Sequence, residues 1–135
     1  MTVEDIMTTD VITVTMDNTL GQIKELFTAN NCHHVLVLDD TSLVGLISDR
    51  DVLAHISPQV DSAAADARAM NTLQKRAHQI MTRTIVSVSQ DMSVEEATQI
   101  LLKKGISCLP VLSSSKDING ILTWRDMLKY FVDKT

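Results

Sequence analysis

A chain of 135 residues with 44% hydrophobic content is long enough for one compact domain, whereas half of it buries too little surface to stand alone. The net charge of −5 and the absence of a basic run argue against nucleic acid as the main partner. No apolar run approaches the ~20 residues of a membrane span, and the acidic opening Met1–Met7 lacks the apolar core of a signal peptide. Cys32 and Cys108 lack CxxC spacing, which fits a reduced, cytoplasmic protein.

In chain order, the first expected element is a short strand at Val11–Val14. Thr19 and Gln22 then fit a capping box that opens a helix. Its apolar stripe is Leu20, Ile23, Leu26 and Phe27, and Asn31 tolerates the left-handed conformation that ends a helix. Val35–Leu38 is apolar and rich in strand formers, Asp39–Ser42 is a polar turn, and Leu43–Ile47 closes an antiparallel hairpin. A short helix begins after Ser48 and is broken at Pro58. An Ala-rich stretch follows from Ser62, and Met70, Leu73, Ala77 and Ile80 lie at the spacing of a linker helix.

The chain then repeats itself. With a shift of 74 residues, Ile6-Met7-Thr8 falls on Ile80-Met81-Thr82, Thr13-Val14 on Ser87-Val88, and Val37-Leu38 on Val111-Leu112. The second copy has its strand at Ile85–Val88 and a capped helix from Ser93 with Glu96. That helix carries the stripe Val94, Ala97, Ile100 and Leu101 and stops at Gly105. Leu109–Leu112 and Ile118–Leu122 form the second hairpin, and a final helix follows Thr123. One extra residue near Asp117 brings Gly45-Leu-Ile-Ser-Asp-Arg-Asp51 over Gly120-Ile-Leu-Thr-Trp-Arg-Asp126. The expected fold is mixed α/β (α+β): two βαββα repeats packed as a pseudo-twofold pair, with the crease between them a natural site. Repeat 1 spans residues 1–57, a linker 58–77 and repeat 2 78–135.

The repeated Ser/Thr-x-Arg-Asp segment carries the candidate chemistry. Its hydroxyl residue opens a helix, where free N–H groups and the dipole favour anionic oxygens. The arginine is a forked, permanently charged donor suited to phosphate, and an ionised carboxylate accepts hydrogen bonds on both of its oxygens. A structural reading stands beside this one: Ser48 with Asp51, and Thr123 with Asp126, also fit as capping pairs. Capping requires no arginine, yet the Arg-Asp pair recurs while its neighbour changes from Asp49 to Trp124. Trp124 is placed either to stack on a ligand or to block its entry. Cys32, His33 and His34 resemble metal ligands, but successive strand side chains point to opposite faces, so no metal site is expected. The methionines Met7, Met16, Met70, Met81, Met92 and Met127 are assigned to core or linker contacts. No nucleophile has an evident base partner, so no enzyme activity is expected.

Strand, helix, hairpin and Gly-hydrophobic-hydrophobic-Ser/Thr-x-Arg-Asp, given twice from about Val3 to Tyr130, resemble a tandem pair of cystathionine-beta-synthase-type (CBS) domains, a Bateman module. That resemblance implies a regulatory module for an adenosine-containing ligand held between the repeats: AMP, ADP or ATP, less often S-adenosylmethionine or NAD. Carried over by position, one site joins Ser48, Arg50 and Asp51 to Thr82, Ile85, Ser87 and Ser107. The other joins Thr123, Arg125 and Asp126 to Thr8, Val11, Thr13 and His33. No cofactor is required under this reading, and copy one departs from the family in having Leu36 where copy two has Pro110. The resemblance also implies a homodimer formed through helical faces, and an effector protein is expected in trans because no effector domain is recognised in the sequence. The alternative is a ligand-free dimerisation or scaffold module in which the motifs only cap helices.

Overall fold

Each repeat builds a three-stranded sheet from one hairpin and one parallel strand. In the first repeat, β1 (Thr13–Thr15) lies parallel to β2 (His34–Asp39), which pairs antiparallel with β3 (Ser42–Ser48). The second repeats the order with β4 (Val88–Ser89), β5 (Cys108–Leu112) and β6 (Ile118–Thr123). Helices α2 (Leu20–Asn30) and α6 (Val94–Lys104) make the crossovers, and α3 (Asp49–His55) and α7 (Trp124–Lys134) follow the hairpins. Three short helices remain: α1 (Val3–Ile6), α4 (Ala67–Asn71) and α5 (Ala77–Ile80). This computed structural model describes residues 1–60, 62 and 66–134. Ala63, Ala64 and Ala65, the heart of the expected Ala-rich stretch, lie outside the described residues.

Both crossover helices start and stop as their sequences dictate. Thr19 Oγ1 accepts from the Gln22 N–H at 3.2 Å while Gln22 Oε1 accepts from the Thr19 N–H at 2.9 Å. Ser93 Oγ accepts from the Glu96 N–H at 3.1 Å. Asn31 (φ 49°) and Gly105 (φ 63°) end the two helices in the left-handed region.

The first strands are shorter than expected, and Pro110 explains why the second is the shorter of the two. In repeat one the Leu36 N–H donates to the Ile12 carbonyl at 3.1 Å, and Thr13 pairs with Leu36. Pro110, in the same column as Leu36, has no N–H to donate. The parallel ladder of repeat two therefore begins one step later, at Val88 with Val111.

The expected linker helix is interrupted. After α4 the chain makes a 3-10 turn at Thr72–Gln74, becomes extended at Lys75, and resumes as α5. The Lys75 carbonyl accepts from the Leu20 N–H (2.9 Å), the Ala77 N–H donates to the Asn18 carbonyl (2.8 Å), and Arg76 Nη1 donates to the Asp17 carbonyl (2.6 Å). The Lys75 carbonyl and the Ala77 N–H thus serve the entrance of α2 and are not available to continue a helix.

The chain divides into two compact units, Ile12–Ile85 and Met1–Val11 with Val86–Thr135. The opening segment of each repeat thus belongs with the hairpin of the other. Thr8 exchanges two hydrogen bonds with Ile121 (both 2.8 Å), and Thr82 exchanges two with Leu46 (2.9 and 3.1 Å). The repeated glycines permit this approach. A Cβ on Gly120 would stand 2.6 Å from the Thr8 carbonyl oxygen, and one on Gly45 would strike the Met81 side chain, with Cγ at 2.8 Å. Each unit has its own core. Leu20, Ile23, Val35, Val37, Ile47 and Ala77 are fully buried in one, and Val3, Val94, Ala97, Leu109, Val111 and Leu122 in the other. Burying a side chain of the Val, Leu or Ile type contributes roughly 1.5–3 kcal/mol, so Val3 anchors its segment firmly.

Candidate functional site

Each hairpin ends on the hydroxyl residue of a motif, so the sheet sets where the following helix begins. Ser48 is extended (φ −98°, ψ 164°); its Oγ accepts from the Asp51 N–H at 3.1 Å, and Asp51 Oδ2 accepts from the Ser48 N–H at 2.8 Å. In the second motif Asp126 Oδ2 accepts from the Thr123 N–H (2.9 Å) and from its hydroxyl (3.2 Å). The capping reading therefore describes real bonds. It uses only Oδ2 of each acid, however, and a carboxylate offers about four acceptor sites. Capping holds the carboxylate in place without exhausting it.

Asp126 has a further partner. Thr8 Oγ1 donates to Asp126 Oδ1 at 2.9 Å, across 118 residues of sequence. Both residues are half-buried and line a groove of about 780 Å³ between the opening segment and α7, within the range of small-molecule pockets. Asp5, Glu95 and Asp133 line the same groove, as do Lys129 and Lys134, so both signs of charge face it.

The sequence-derived candidates are divided between the two units. Thr8, Val11, Ser87, Ser107, Thr123, Arg125 and Asp126 belong to one unit; Thr13, His33, Ser48, Arg50, Asp51, Thr82 and Ile85 belong to the other. Thr8 and Val11 thus share a unit with Asp126, and Thr82 and Ile85 with Asp51. Ser87 and Ser107 lie in the unit of Asp126, and Thr13 and His33 in that of Asp51. Two of these residues contact the motif of their own unit. The His33 carbonyl accepts from the Asp49 N–H at 2.9 Å, and the Ser107 carbonyl from the Trp124 N–H at 3.3 Å. Arg50 and Arg125 are exposed.

Two features escaped sequence reasoning. His33 Nδ1 lies 2.7 Å from Asp49 Oδ2, an exposed pair joining the start of β2 to the start of α3. The Trp124 indole donates to the Ile106 carbonyl at 2.8 Å and lines an apolar groove on α6 and α7 with Leu128 and Phe131. Its ring borders that helix-face groove, not the one lined by Thr8 and Asp126. Position 49 aligning with 124 was the available signal: a charged residue and an indole in one column belong on a surface rather than in a shared core.

Burial governs the other titratable groups near the motifs. It pushes the Cys108 thiol up to about 12, with Asp126 adding to the shift. It also lowers the His34 imidazole, against the opposing pull of Asp49 and Asp51. Among the described residues no group of three or more His, Cys, Asp and Glu side chains is arranged to hold a metal ion. Nor is any helix there long and apolar enough to cross a membrane.

Residues 3–58 and again 77–133 match the CBS domain family model. The chain belongs to the CBS domain family. It is a CBS pair, with both repeats matched over nearly their full length. It is similar to a CBS domain-containing protein of Dictyostelium discoideum, 30% identical over 132 residues that cover 96% of this chain and 90% of that one. It is also 28% identical over 127 residues to inosine-5'-monophosphate dehydrogenase of Methanocaldococcus jannaschii, covering 93% of this chain but 23% of the enzyme. The chain spans 23–46% of the length of the first three curated relatives it matches. Among solved structures, CBSX2 in complex with AMP is 26% identical with a TM-score of 0.77, covering 98% of this chain and 97% of that one. The CBS domain pair of protein MJ0100 shares the fold with a TM-score of 0.81 at 24% identity, covering 100% and 98%.

Proposed function

We propose that this CBS pair is a non-enzymatic regulatory module that binds an adenosine-containing ligand through its two Ser/Thr-x-Arg-Asp motifs. It acts as a homodimer on a partner protein in trans. The observation that carries the reading is the Asp126 carboxylate, held by Thr123 on one oxygen and by Thr8 on the other. A carboxylate already oriented by two elements accepts a ribose diol without first losing its own freedom, which is the physical content of preorganisation. The adjacent Arg125, like Arg50 beside Asp51, supplies the cation for a phosphate. CBSX2, which is 26% identical, binds AMP, so AMP is the first ligand to try, followed by ADP, ATP, S-adenosylmethionine and NAD.

One observation favours a second reading. The Ser48–Asp51 pair is a complete capping box, and a ligand-free scaffold needs nothing more from it. A thermal-shift series with the five ligands separates the two. A ligand present at 100 times its dissociation constant raises stability by ~2.7 kcal/mol, whereas a pure scaffold melts at one temperature throughout.

A further inference from the structure

The two motifs carry different charge. Asp49, Arg50 and Asp51 leave one formal negative charge in excess, whereas Trp124, Arg125 and Asp126 balance. The difference lies wholly in the column shared by Asp49 and Trp124, and each is fixed in its place. The Trp124 indole donates to the Ile106 carbonyl at 2.8 Å. Asp49 is held twice by His33: its N–H donates to the His33 carbonyl at 2.9 Å, and its Oδ2 lies 2.7 Å from His33 Nδ1. The side chains of that pair are 61 and 40% exposed, so His33 exchanges protons freely with solvent. Histidine is also the side chain whose charge ordinarily changes between about pH 5 and 8. In repeat two the columns of His33 and His34 hold Ser107 and Cys108, and burial pushes the Cys108 thiol up to about 12. Neither residue changes charge in that window.

We propose that Asp49 is a specificity-determining residue of the first motif: it opposes a phosphate beside Arg50, and a proton on His33 lifts that opposition. This rests on the nucleotide reading and adds to it that the two motifs rank nucleoside and nucleotide differently, one of them under the control of pH. A carboxylate beside the guanidinium repels the anion that the guanidinium attracts. Asp49 is close enough to matter, because Asp49 and Asp51 both act on His34, and Asp49 acts on Cys32 as well. His34 pairs across the hairpin with Ser48, the hydroxyl residue of the motif, so these groups share one neighbourhood. The charged and titratable groups about His33 are Asp49, Arg50 and Asp51 at the start of α3 and, beside it in sequence, Cys32 and His34; β3 contributes the uncharged Ser48. Burial lowers the His34 imidazole, so on acidification the exposed His33 is the group that takes up the proton. Its charge then cancels that of Asp49, and the first motif reaches the balance that Trp124 gives the second at every pH.

Amide NMR titrations of the full chain with AMP and with adenosine, at pH ~7.5 and ~5.5, test this. The Arg50 and Asp51 signals report one motif, those of Arg125 and Asp126 the other, and the spectrum itself verifies that each variant is folded. The quantity read at each motif is the factor by which AMP binds more tightly than adenosine. Comparing the two motifs in one sample cancels the titration of the phosphate itself. At the higher pH that factor should be about fivefold smaller at the first motif than at the second, the effect of one nearby exposed charge. At the lower pH the two should converge. Asp49→Asn should make them equal at both values, and His33→Gln should keep them apart at both. A wild-type difference that is absent at the higher pH, or that survives Asp49→Asn, would overturn the assignment of Asp49 while leaving the nucleotide reading standing. Convergence on acidification that persists in His33→Gln would overturn the role of His33. A wild type whose motif signals respond to neither ligand would overturn the nucleotide reading and this proposal with it.

Discussion

Thr8 and Asp126 stand 118 positions apart in sequence and 2.9 Å apart in space, the hydroxyl of one donating to the carboxylate of the other. This bond ties the opening segment of repeat one to the motif of repeat two. It also engages one acceptor position of the oxygen that the helix cap leaves over.

Removing either partner should cost stability, and removing both should cost less than the sum. A hydrogen bond to a charged group is worth about 1.5–3 kcal/mol; because the pair is only half-buried, the lower end applies. Thr8→Val should therefore destabilise by ~1–2 kcal/mol in urea denaturation, and the cycle with Asp126→Asn should show a coupling of ~1 kcal/mol. Strict additivity would mean that the bond contributes nothing in solution.

The glycines opposite the opening segments should not tolerate a methyl group. At Gly120 the obstruction is the Thr8 backbone carbonyl, which cannot rotate away, and at Gly45 it is the Met81 side chain down to its Cβ. Gly120→Ala and Gly45→Ala should each destabilise by ~1–3 kcal/mol, the usual cost of overpacking. Because Met81 is flexible, Gly45→Ala should be the milder of the two. Melting temperatures of the two variants decide the order, and unchanged values for both would contradict the close packing.

Stability should fall at both ends of the pH range, for different residues. The folded state holds His34 below its ordinary value of 6.5, so as pH falls below 6.5 the unfolded chain takes up a proton that the folded chain resists. His34 therefore subtracts stability on acidification, and His34→Gln should remove that component. Cys108 is pushed from 9.0 to about 12, so between those values the unfolded chain releases a proton that the folded chain keeps. Stability is lost as pH rises through that window, and Cys108→Ala should flatten it. Denaturation curves from pH 5 to 10.5 read both slopes; a variant with the wild-type slope acquits its residue.

Phosphate recognition should separate from nucleoside recognition. Arg50→Gln and Arg125→Gln should weaken AMP by about tenfold while changing adenosine little, since only the nucleotide presents a charged group to the guanidinium. Equal losses for both ligands in competition binding would assign the arginines a structural role instead.

Much of the fold was legible because its signals are local. The hydroxyl residues Thr19 and Ser93, the left-handed stops at Asn31 and Gly105, and the short polar turns act within a few residues. Their recurrence in two copies removes the usual ambiguity. What was not legible depends on distant partners. Periodicity from Met70 to Ile80 predicts an unbroken helix, but the backbone at Lys75 and Ala77 is taken by Asn18 and Leu20. Pro110 was visible as a departure, yet its shortening of β4 appears only once β5 has a parallel neighbour. The candidate site divides in the same way. Motif residues adjacent in sequence were recognisable, whereas the His33–Asp49 pair and the helix-face placement of Trp124 arise from tertiary packing.

Asp51 and Asp126 are the residues proposed to hold an adenosine ligand. Calorimetric titration of AMP into the wild type and into the Asp51→Asn/Asp126→Asn double variant, each verified to be folded by circular dichroism, tests this assignment most directly. Saturable heat of binding is expected in the wild type, with a loss of affinity of roughly tenfold or more in the double variant, the equivalent of ~1.5–3 kcal/mol. Undiminished binding by the double variant, or a wild type that releases no heat with AMP or with adenosine, would contradict it.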